Sequence, residues 1–401
     1  MNIDDLTSSK IAIFAHFSET GATEELRDWL IEKKIKELVY IAFPFGGRSK
    51  TGAEREIRIS IYCDGKLAGT RGSIIRFKKP EILSFVKDFL YALFYGFLFC
   101  RKSRVLFGGD NLLSIAGNVL KFFGAVKKTV YYMIDYTPVR YNNPFINSLY
   151  YSFDRKASYG SDFVWPLCPR TIEGRFEDGR LDKGRVRWYP VPYGNHYRSF
   201  SSLFRHDRKT IVYMGRIDKL KGAELLIPLA GFLRNKSPGS FIIRVIGDGP
   251  YSEAFREEIK SLGFGDTIDF TGFVENFGDV INILLACGIA IAPYYPFDKN
   301  NYTYYADPGK IKSYLGAGLP VVLTAVPPIA PLIMEKGAGL IAQYGASSFG
   351  EKILEISRDY EGFEKRAAEL GAQFDWDRVF TEAFEKLGSS RPDRVEDQPK
   401  G

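Results

Sequence analysis

The chain is poor in the residues that build metal and disulfide sites. It has four cysteines, Cys63, Cys100, Cys168 and Cys287, and no two stand at a paired spacing. That excludes a disulfide scaffold and a zinc ribbon. Three histidines, His16, His196 and His206, are too few and too scattered for a histidine metal centre. No run reaches the ~18 uncharged apolar residues of a membrane-spanning helix. The nearest candidate, residues 89–100, has twelve residues. The opening MNIDDLTSSK is polar and acidic, unlike a secretory signal, so a cytoplasmic location is expected. No internal repeat is visible.

What is present is the material of ordinary folded domains. Hydrophobic residues make up 45% and charged residues 26% of 401, which excludes disorder for the bulk of the chain. This length suggests two or three domains. The net charge of +7 is unevenly placed. Residues 1–195 hold 30 Lys+Arg against 21 Asp+Glu, or +9; the remainder holds 25 against 27, or −2. A basic front half suggests an anionic partner there.

Short β-rich runs alternate with amphipathic stretches throughout. In the front half, strands are expected near 10–15, 38–43, 57–63, 72–77, 104–107, 129–134, 163–167 and 187–191. Helices are expected at 23–36, 82–99, 111–123 and 144–159. In the back half, strands at 210–214, 241–246, 267–271, 289–293 and 319–324 alternate with helices at 224–234, 251–262, 277–286 and 308–317. Such alternation predicts parallel sheets covered by helices, hence two doubly wound α/β domains. The polar stretch 194–208 reads as the linker. The tail from Ser389 is polar and reads as disordered.

Four back-half motifs fall where strands end, which is where ligands bind in such sheets. Gly215-Arg216-Ile217-Asp218-Lys219-Leu220-Lys221-Gly222 follows the strand at 210–214. Its glycine permits close backbone approach, and Arg216 and Lys221 suit a diphosphate. A surface turn with solvated charges explains it equally well in isolation. Gly247-Asp248-Gly249-Pro250 and Gly272-Phe273-Val274-Glu275-Asn276 end the next two strands. The fourth runs from Asp307-Pro308-Gly309-Lys310 to Gly318-Leu319-Pro320-Val321-Val322. Asp307 suits an N-cap and Pro308 a first helical position. The helix start suits a phosphate, with Lys310 adding a full charge.

In this order and spacing the four motifs resemble the donor-binding domain of GT-B glycosyltransferases, closest to family 4 (glycosyl transferases group 1). The resemblance covers about residues 187–388. It includes Tyr193-Gly194-Asn195-His196, similar to the family's hinge, and Trp376, similar to the aromatic before its closing helix. The resemblance implies two Rossmann-like domains facing across a cleft. Residues 1–195 with a return helix near 377–388 would bind the acceptor, and 196–376 the nucleotide sugar. It implies that Gly21, Arg216, Lys221 and Lys310 meet the donor diphosphate. Gly247, Gly272, Phe273, Val274 and Ser313 would meet the nucleotide, and Asp307 and Gly309 the donor sugar. It also implies transfer with retention, without a bound cofactor or a required metal. One departure stands out. The family carries two glutamates eight positions apart, and here those positions read Tyr305 and Ser313.

Acceptor candidates come from the front half. His16 ends the first strand. Asp135 ends the sixth, where the family has a histidine or a His-Asp pair and Ile134 stands instead of the histidine. Both are candidate catalytic groups, Asp135 as a base or orienter of a hydroxyl. Arg140 and Asn143 are candidate acceptor contacts within a polar set that includes Asn147, Asp154 and Arg155. Structural roles, such as turn capping or helix-surface charge, compete at each of these positions. Lys78-Lys79, the aromatic helix and Arg101-Lys102-Ser103-Arg104 give 78–104 the pattern of an interfacial helix on an anionic membrane. A buried core helix is the alternative.

The expectation is therefore a glycosyltransferase moving a hexose from a UDP- or GDP-sugar to a glycan or lipid-linked glycan, peripheral on the inner membrane face. The rivals are a non-catalytic GT-B binding protein, or a nucleotide-sugar epimerase on the same fold. A nucleic-acid reading motif is absent.

Overall fold

The computed structural model describes residues 3–16, 21–44, 57–72, 81–218, 221–296 and 302–388. The chain divides into two compact units. One holds the described residues up to Pro192 and the last helix from Phe380 onward; the other is Tyr193–Val379.

The first unit runs α1 (Ile3–Thr7), β1 (Lys10–His16), α2 (Ala22–Glu32), β2 (Glu37–Phe43), β3 (Arg58–Cys63), β4 (Lys66–Gly72) and α3 (Glu81–Phe99). It continues with β5 (Ser103–Gly108), α4 (Asn111–Phe122), β6 (Val126–Met133), α5 (Pro144–Gly160), β7 (Phe163–Pro166) and α6 (Pro169–Glu177). Its sheet has the order β4-β3-β2-β1-β5-β6-β7. β2, β1, β5, β6 and β7 are parallel, in register Ile13↔Tyr40 and Ile13↔Phe107. The order reverses between β1 and β5, so the switch point lies at their C-terminal ends.

α3 and α4 cover one face, where Ala92, Cys100, Leu113, Ala116 and Leu120 pack on Phe14, Val39, Ile41 and Leu106. Elsewhere in the unit Trp29 of α2 stacks on Phe384, which also meets Phe107 and Trp165. Each fully buried side chain of this size contributes about 1.5–3 kcal/mol.

The second unit runs α7 (Tyr197–Phe200), β8 (Asp207–Met214), α8 (Leu226–Lys236), β9 (Ile242–Ile246), α9 (Ser252–Ser261), β10 (Ile268–Gly272), α10 (Phe277–Leu285) and β11 (Cys287–Ala292). Then follow α11 (Tyr302–Tyr305), α12 (Gly309–Gly316), β12 (Val321–Leu323), α13 (Ala330–Glu335), β13 (Gly339–Ile341), α14 (Ala346–Arg358), α15 (Tyr360–Gln373) and α16 (Trp376–Gly388), which passes into the first unit. Its sheet, β10-β9-β8-β11-β12-β13, is parallel across all its paired strands. The order reverses between β8 and β11.

Three expectations need correcting. The strand expected at 72–77 is instead β4, Lys66–Gly72, paired antiparallel with β3 through a turn at Asp64-Gly65; residues 73–77 lie outside the described residues. The first sheet is therefore mixed. Residues 187–191 run parallel beside β7 through a bridge at Val164↔Trp188, with the Val164 N–H on Arg187 O (2.8 Å), the Tyr189 N–H on Val164 O (3.1 Å) and the Val191 N–H on Pro166 O (2.8 Å). The stretch 194–208 is not a free linker. Asn195 is buried and its side-chain amide donates to Lys312 O (3.2 Å) and Gly371 O (2.9 Å), and His206 meets Ala317 O at 2.8 Å. These bonds place the unit boundary at Tyr193. The tail 389–401 and the Lys78-Lys79 pair lie outside the described residues.

Candidate functional site

The second unit gathers its motifs at the β8/β11 switch point. Gly215 follows β8, and its N–H donates to Ile246 O at the end of β9. Gly247 follows β9 with φ 136°, and its N–H donates to Gly272 O at the end of β10. A Cβ on Gly247 would lie 1.9 Å from Gly215 O, so only glycine fits. The three glycine turns thus bond to one another along the C-terminal edge of the sheet. The Tyr213 hydroxyl binds Arg216 O (3.1 Å) and Lys221 O (3.2 Å), which ties these two residues to the end of β8. Arg216 stands exposed, 3.5 Å from Asp218.

Two lysines meet at this edge. Lys221 Nζ donates to Thr303 Oγ1 at 2.8 Å and lies 5.3 Å from the Tyr294 ring centre. Lys310 Nζ lies 4.7 Å from the ring centres of both Tyr213 and Tyr294. Among the described residues Lys310 has no carboxylate partner. Burial, with Lys221 adding repulsion, pulls the Lys310 ammonium down to about 7. Burial pulls Lys221 down to about 8, with Asp218 opposing. Two cations held together by aromatic faces and a hydroxyl are costly unless an anion joins them.

Lys310 stands at the second position of α12, with Gly309 against Tyr193. A Cβ on Gly309 would lie 2.9 Å from the Tyr193 ring. The helix begins one residue later than expected. Pro308, in extended conformation, is the residue before it, and its first turn has no side-chain cap. Asp307 does not cap it. Both its oxygens take Lys312 Nζ, at 2.8 and 2.9 Å, and Oδ2 also accepts the Tyr193 N–H at 2.8 Å. A lysine one turn along outcompetes the helix N–H groups for this buried carboxylate. Ser313 donates back to Gly309 O at 3.2 Å. Phe273 is exposed and Val274 packs against the core. Trp376 is buried and packs against Tyr193 and Gly194.

The first unit has its own cluster at the β1/β5 switch point. His16 ends β1, and its Nε2 lies 2.5 Å from Asp110 Oδ2. Asp110 Oδ1 accepts the Leu113 N–H at 2.8 Å, capping α4. Burial pulls the imidazole down, but Asp110, with Asp88 of α3 behind it, outweighs this and holds His16 above its ordinary value. Burial pushes Asp88 up, offset by Lys87 at 3.1 Å. Gly21 stands at the N-terminus of α2 in extended conformation.

Asp135 follows β6 and pairs with Arg140, which donates to both its oxygens at 2.9 and 3.1 Å. Arg140 also lies 4.8 Å from the Tyr150 ring. Asn143 accepts the N–H groups of Phe145 (2.9 Å) and Ile146 (3.2 Å), so it caps α5. Asn147 accepts the Arg140 N–H at 2.9 Å. Hydrogen bonds join Asp135 and Arg140 to Asn147 on α5. The structure removes Asp154 from the polar set expected to line a pocket. Asp154 is buried, takes Arg175 Nε at 2.7 Å and accepts the Tyr131 hydroxyl at 2.8 Å. Removing one member of such a buried pair costs about 3–5 kcal/mol; it holds the fold.

Thr303, Tyr213, Tyr294 and Asp110 are site residues that the sequence does not announce. Three of them follow or end strands of the right sheet edge, but no spacing marks them.

Two doubly wound α/β units, the second with a lysine pair at its switch point, place that pair where such sheets bind ligands. Residues 198–373 match the family model "Glycosyl transferases group 1". That stretch lies within the second unit, which is similar to a glycosyl transferases group 1 domain, and the chain as a whole has the GT-B fold. A 69-residue stretch is 35% identical to 2-deoxystreptamine N-acetyl-D-glucosaminyltransferase from Niallia circulans, covering 17% of this chain and 18% of that protein. The match thus spans less than a fifth of that relative. Solved structures share the fold along nearly the whole chain. Anabaena HepE in complex with UDP aligns with TM-score 0.63 at 15% identity, covering 94% of this chain and 99% of that one. Sucrose-phosphate synthase from Thermosynechococcus elongatus aligns at 0.65 and 16%, covering 94% and 98%. The pneumococcal O-GlcNAc transferase GtfA, in complex with UDP and GlcNAc, aligns at 0.63 and 12%, covering 95% and 98%.

Proposed function

We propose that the whole chain is a retaining glycosyltransferase that moves a hexose from a UDP-sugar to a hydroxyl of a glycan or lipid-linked glycan. The observation that carries this reading is Lys310, held over two tyrosine faces beside Lys221 without a carboxylate of its own. UDP is favoured over GDP because solved relatives of this fold carry UDP.

In this mechanism Lys221 and Lys310 take the β-phosphate, Arg216 folds in from its exposed position, and the start of α12 adds its N–H groups. Gly272, Phe273 and Val274 offer backbone groups to the base, with Gly247 keeping the edge open. Ser313 and Gly309 lie one turn apart at the sugar side, and Asp307 keeps the helix in place through Lys312. The C1–O bond breaks and its electron pair leaves with UDP, where the lysines neutralise the growing charge. An acceptor oxygen bonds to C1 on the face that UDP leaves, and its proton passes to the departing phosphate oxygen, so configuration is retained; Asp135, held by Arg140, is the first unit's candidate for orienting an acceptor hydroxyl. His16, whose Nε2 is held by Asp110, orders the end of β1, and Asn143 caps the helix that follows the Arg140 segment. The lysines supply the charge that a metal supplies elsewhere, so chelation with EDTA is expected to leave transfer intact.

Tyr305 and Ser313 at the family's glutamate positions favour a second reading, a GT-B protein that binds without transferring. Turnover separates the two. Wild type is incubated with UDP-glucose, UDP-galactose and UDP-N-acetylglucosamine, with and without a panel of glycan acceptors, and UDP release is measured. Release that requires an acceptor and disappears in Lys310→Ala supports transfer. UDP binding without release under every pairing supports the binding protein.

A further inference from the structure

Helix α3 has apolar residues all round, which a sequence alone reads as burial. The structure divides them. Ala92, Gly96 and Cys100 turn inward to Phe14 and Leu120. The opposite face is in solvent: Leu90 is 58% exposed, Phe94 57%, Phe97 39% and Leu98 52%. Positions 90, 94, 97 and 98 keep the 3–4 spacing of one helical stripe. Phe122 and Phe123, where α4 ends, extend it. They are 84% and 65% exposed, and Phe123 meets Phe97 edge-on at 5.9 Å. An aromatic cluster bridging two helix ends is unlike singly scattered surface apolars.

Cations surround that end of the stripe. Arg101 and Lys102 follow α3, and the Lys102 N–H donates to Ala125 O at 2.8 Å, which ties this turn to the one after α4. Lys127 and Lys128, on β6 beyond it, are exposed as well. Among the described residues, Lys121 pairs with Asp162, while none of these four makes an ion pair. The exposed apolar stripe has no charged residue of its own between Phe89 and Phe99.

From this we infer that α3 and the end of α4 form a docking surface for an anionic lipid bilayer. The helix lies in the interface, Phe122 and Phe123 insert, and Arg101, Lys102, Lys127 and Lys128 meet lipid headgroups. The charge complement commits the surface to anionic lipid. A second copy of the chain would bring the same four cations against themselves. This deepens the proposed function, on which it rests only for the conclusion that the acceptor is lipid-borne.

The test is co-sedimentation of the full chain with vesicles of phosphatidylcholine alone, and of phosphatidylcholine with 30% phosphatidylglycerol. Wild type is expected to sediment with the second and not the first, and high salt is expected to release it. Phe122→Ser with Phe123→Ser is expected to lower partitioning by about tenfold or more, and Lys127→Gln with Lys128→Gln by about tenfold. A UDP-induced rise in Tm, measured on each variant, shows that the fold and donor site are intact. The inference is overturned if wild type ignores anionic vesicles, or if the double variants sediment like wild type. It is also overturned if wild type is a dimer that the phenylalanine variant dissociates. A missing UDP shift in wild type would count against the transferase reading and leave the lipid result standing.

Discussion

The two sheet switch points carry opposite chemistry. In the second unit, Lys221 after β8 and Lys310 on α12 sit beside Tyr213, Tyr294 and Thr303. In the first, β1 and β5 end in a histidine backed by two aspartates, Asp110 and Asp88. One edge holds two lysines that burial pulls below their ordinary values. The other is an imidazole whose counter-charge is already built in. On the proposed function, the difference lets one fold, used twice, serve two partners. A diphosphate needs fixed positive charge, whereas an acceptor hydroxyl needs a neutral or weakly charged hydrogen-bonding group.

The largest way to break this contrast is at Lys310. Lys310→Ala is expected to weaken UDP binding by roughly 10- to 150-fold, the loss of one charge-assisted contact. His16→Ala is expected to leave UDP binding unchanged. Isothermal titration of both variants measures it. Equal losses, or none in Lys310→Ala, would remove the phosphate role from the lysine pair.

A smaller effect comes from pH. Lys310 near 7 and Lys221 near 8 are partly neutral in the free protein at pH 8. A diphosphate favours their charged forms, so binding takes up protons. Affinity for UDP is therefore expected to fall as pH rises from 7 to 9, by up to about tenfold per pH unit for each lysine that must charge. Lys310→Arg, which stays charged, is expected to flatten the lower part of that slope. Titrations in buffers of different ionisation enthalpy count the protons directly. A pH-independent affinity would mean that the lysines are already charged.

Both switch points were only half legible in the sequence. The glycine turns at 215, 247 and 272 were visible because each must follow a strand, and their order carried the family resemblance. Lys221 and Lys310 came with them. Tyr213 and Tyr294 escaped because an aromatic at a strand end reads as core whether or not a cation sits on it, and Thr303 because it lies on α11, 82 positions from the lysine it meets. Asp110 escaped for a different reason. It looks like an ordinary helix cap, and it is one; its second oxygen, turned to a residue 94 positions earlier, has no trace in local pattern. Asp307 misled in the opposite direction. Its place before a helix suggested a cap, but Lys312 claims both oxygens. The antiparallel edge β3-β4 was missed because Lys66–Gly72 is exposed along its whole length and shows no alternation.

The smallest expected effect concerns that second oxygen, and Asp110→Asn isolates it. Asparagine still accepts the Leu113 N–H, so the α4 cap survives. What it removes is the carboxylate that raises the His16 imidazole above its ordinary value. His16 sits above its ordinary value in the folded protein, against about 6.5 when unfolded. Its contribution to stability is thus fully present below pH 6.5 and is lost as pH rises through the folded value. Wild type is expected to lose more stability than Asp110→Asn between pH 6 and pH 8.5, by about 1 kcal/mol, the scale of a single partly exposed ion pair. Urea unfolding at a series of pH values reads the difference, and other titrating groups cancel between the two proteins. Asp110→Ala is expected to cost about 1 kcal/mol more at every pH, because it also removes the cap. Identical pH slopes in wild type and Asp110→Asn would mean that His16 is neutral when folded. The first switch point would then hold an uncharged acceptor group, and its contrast with the lysine edge would be one of charge against none.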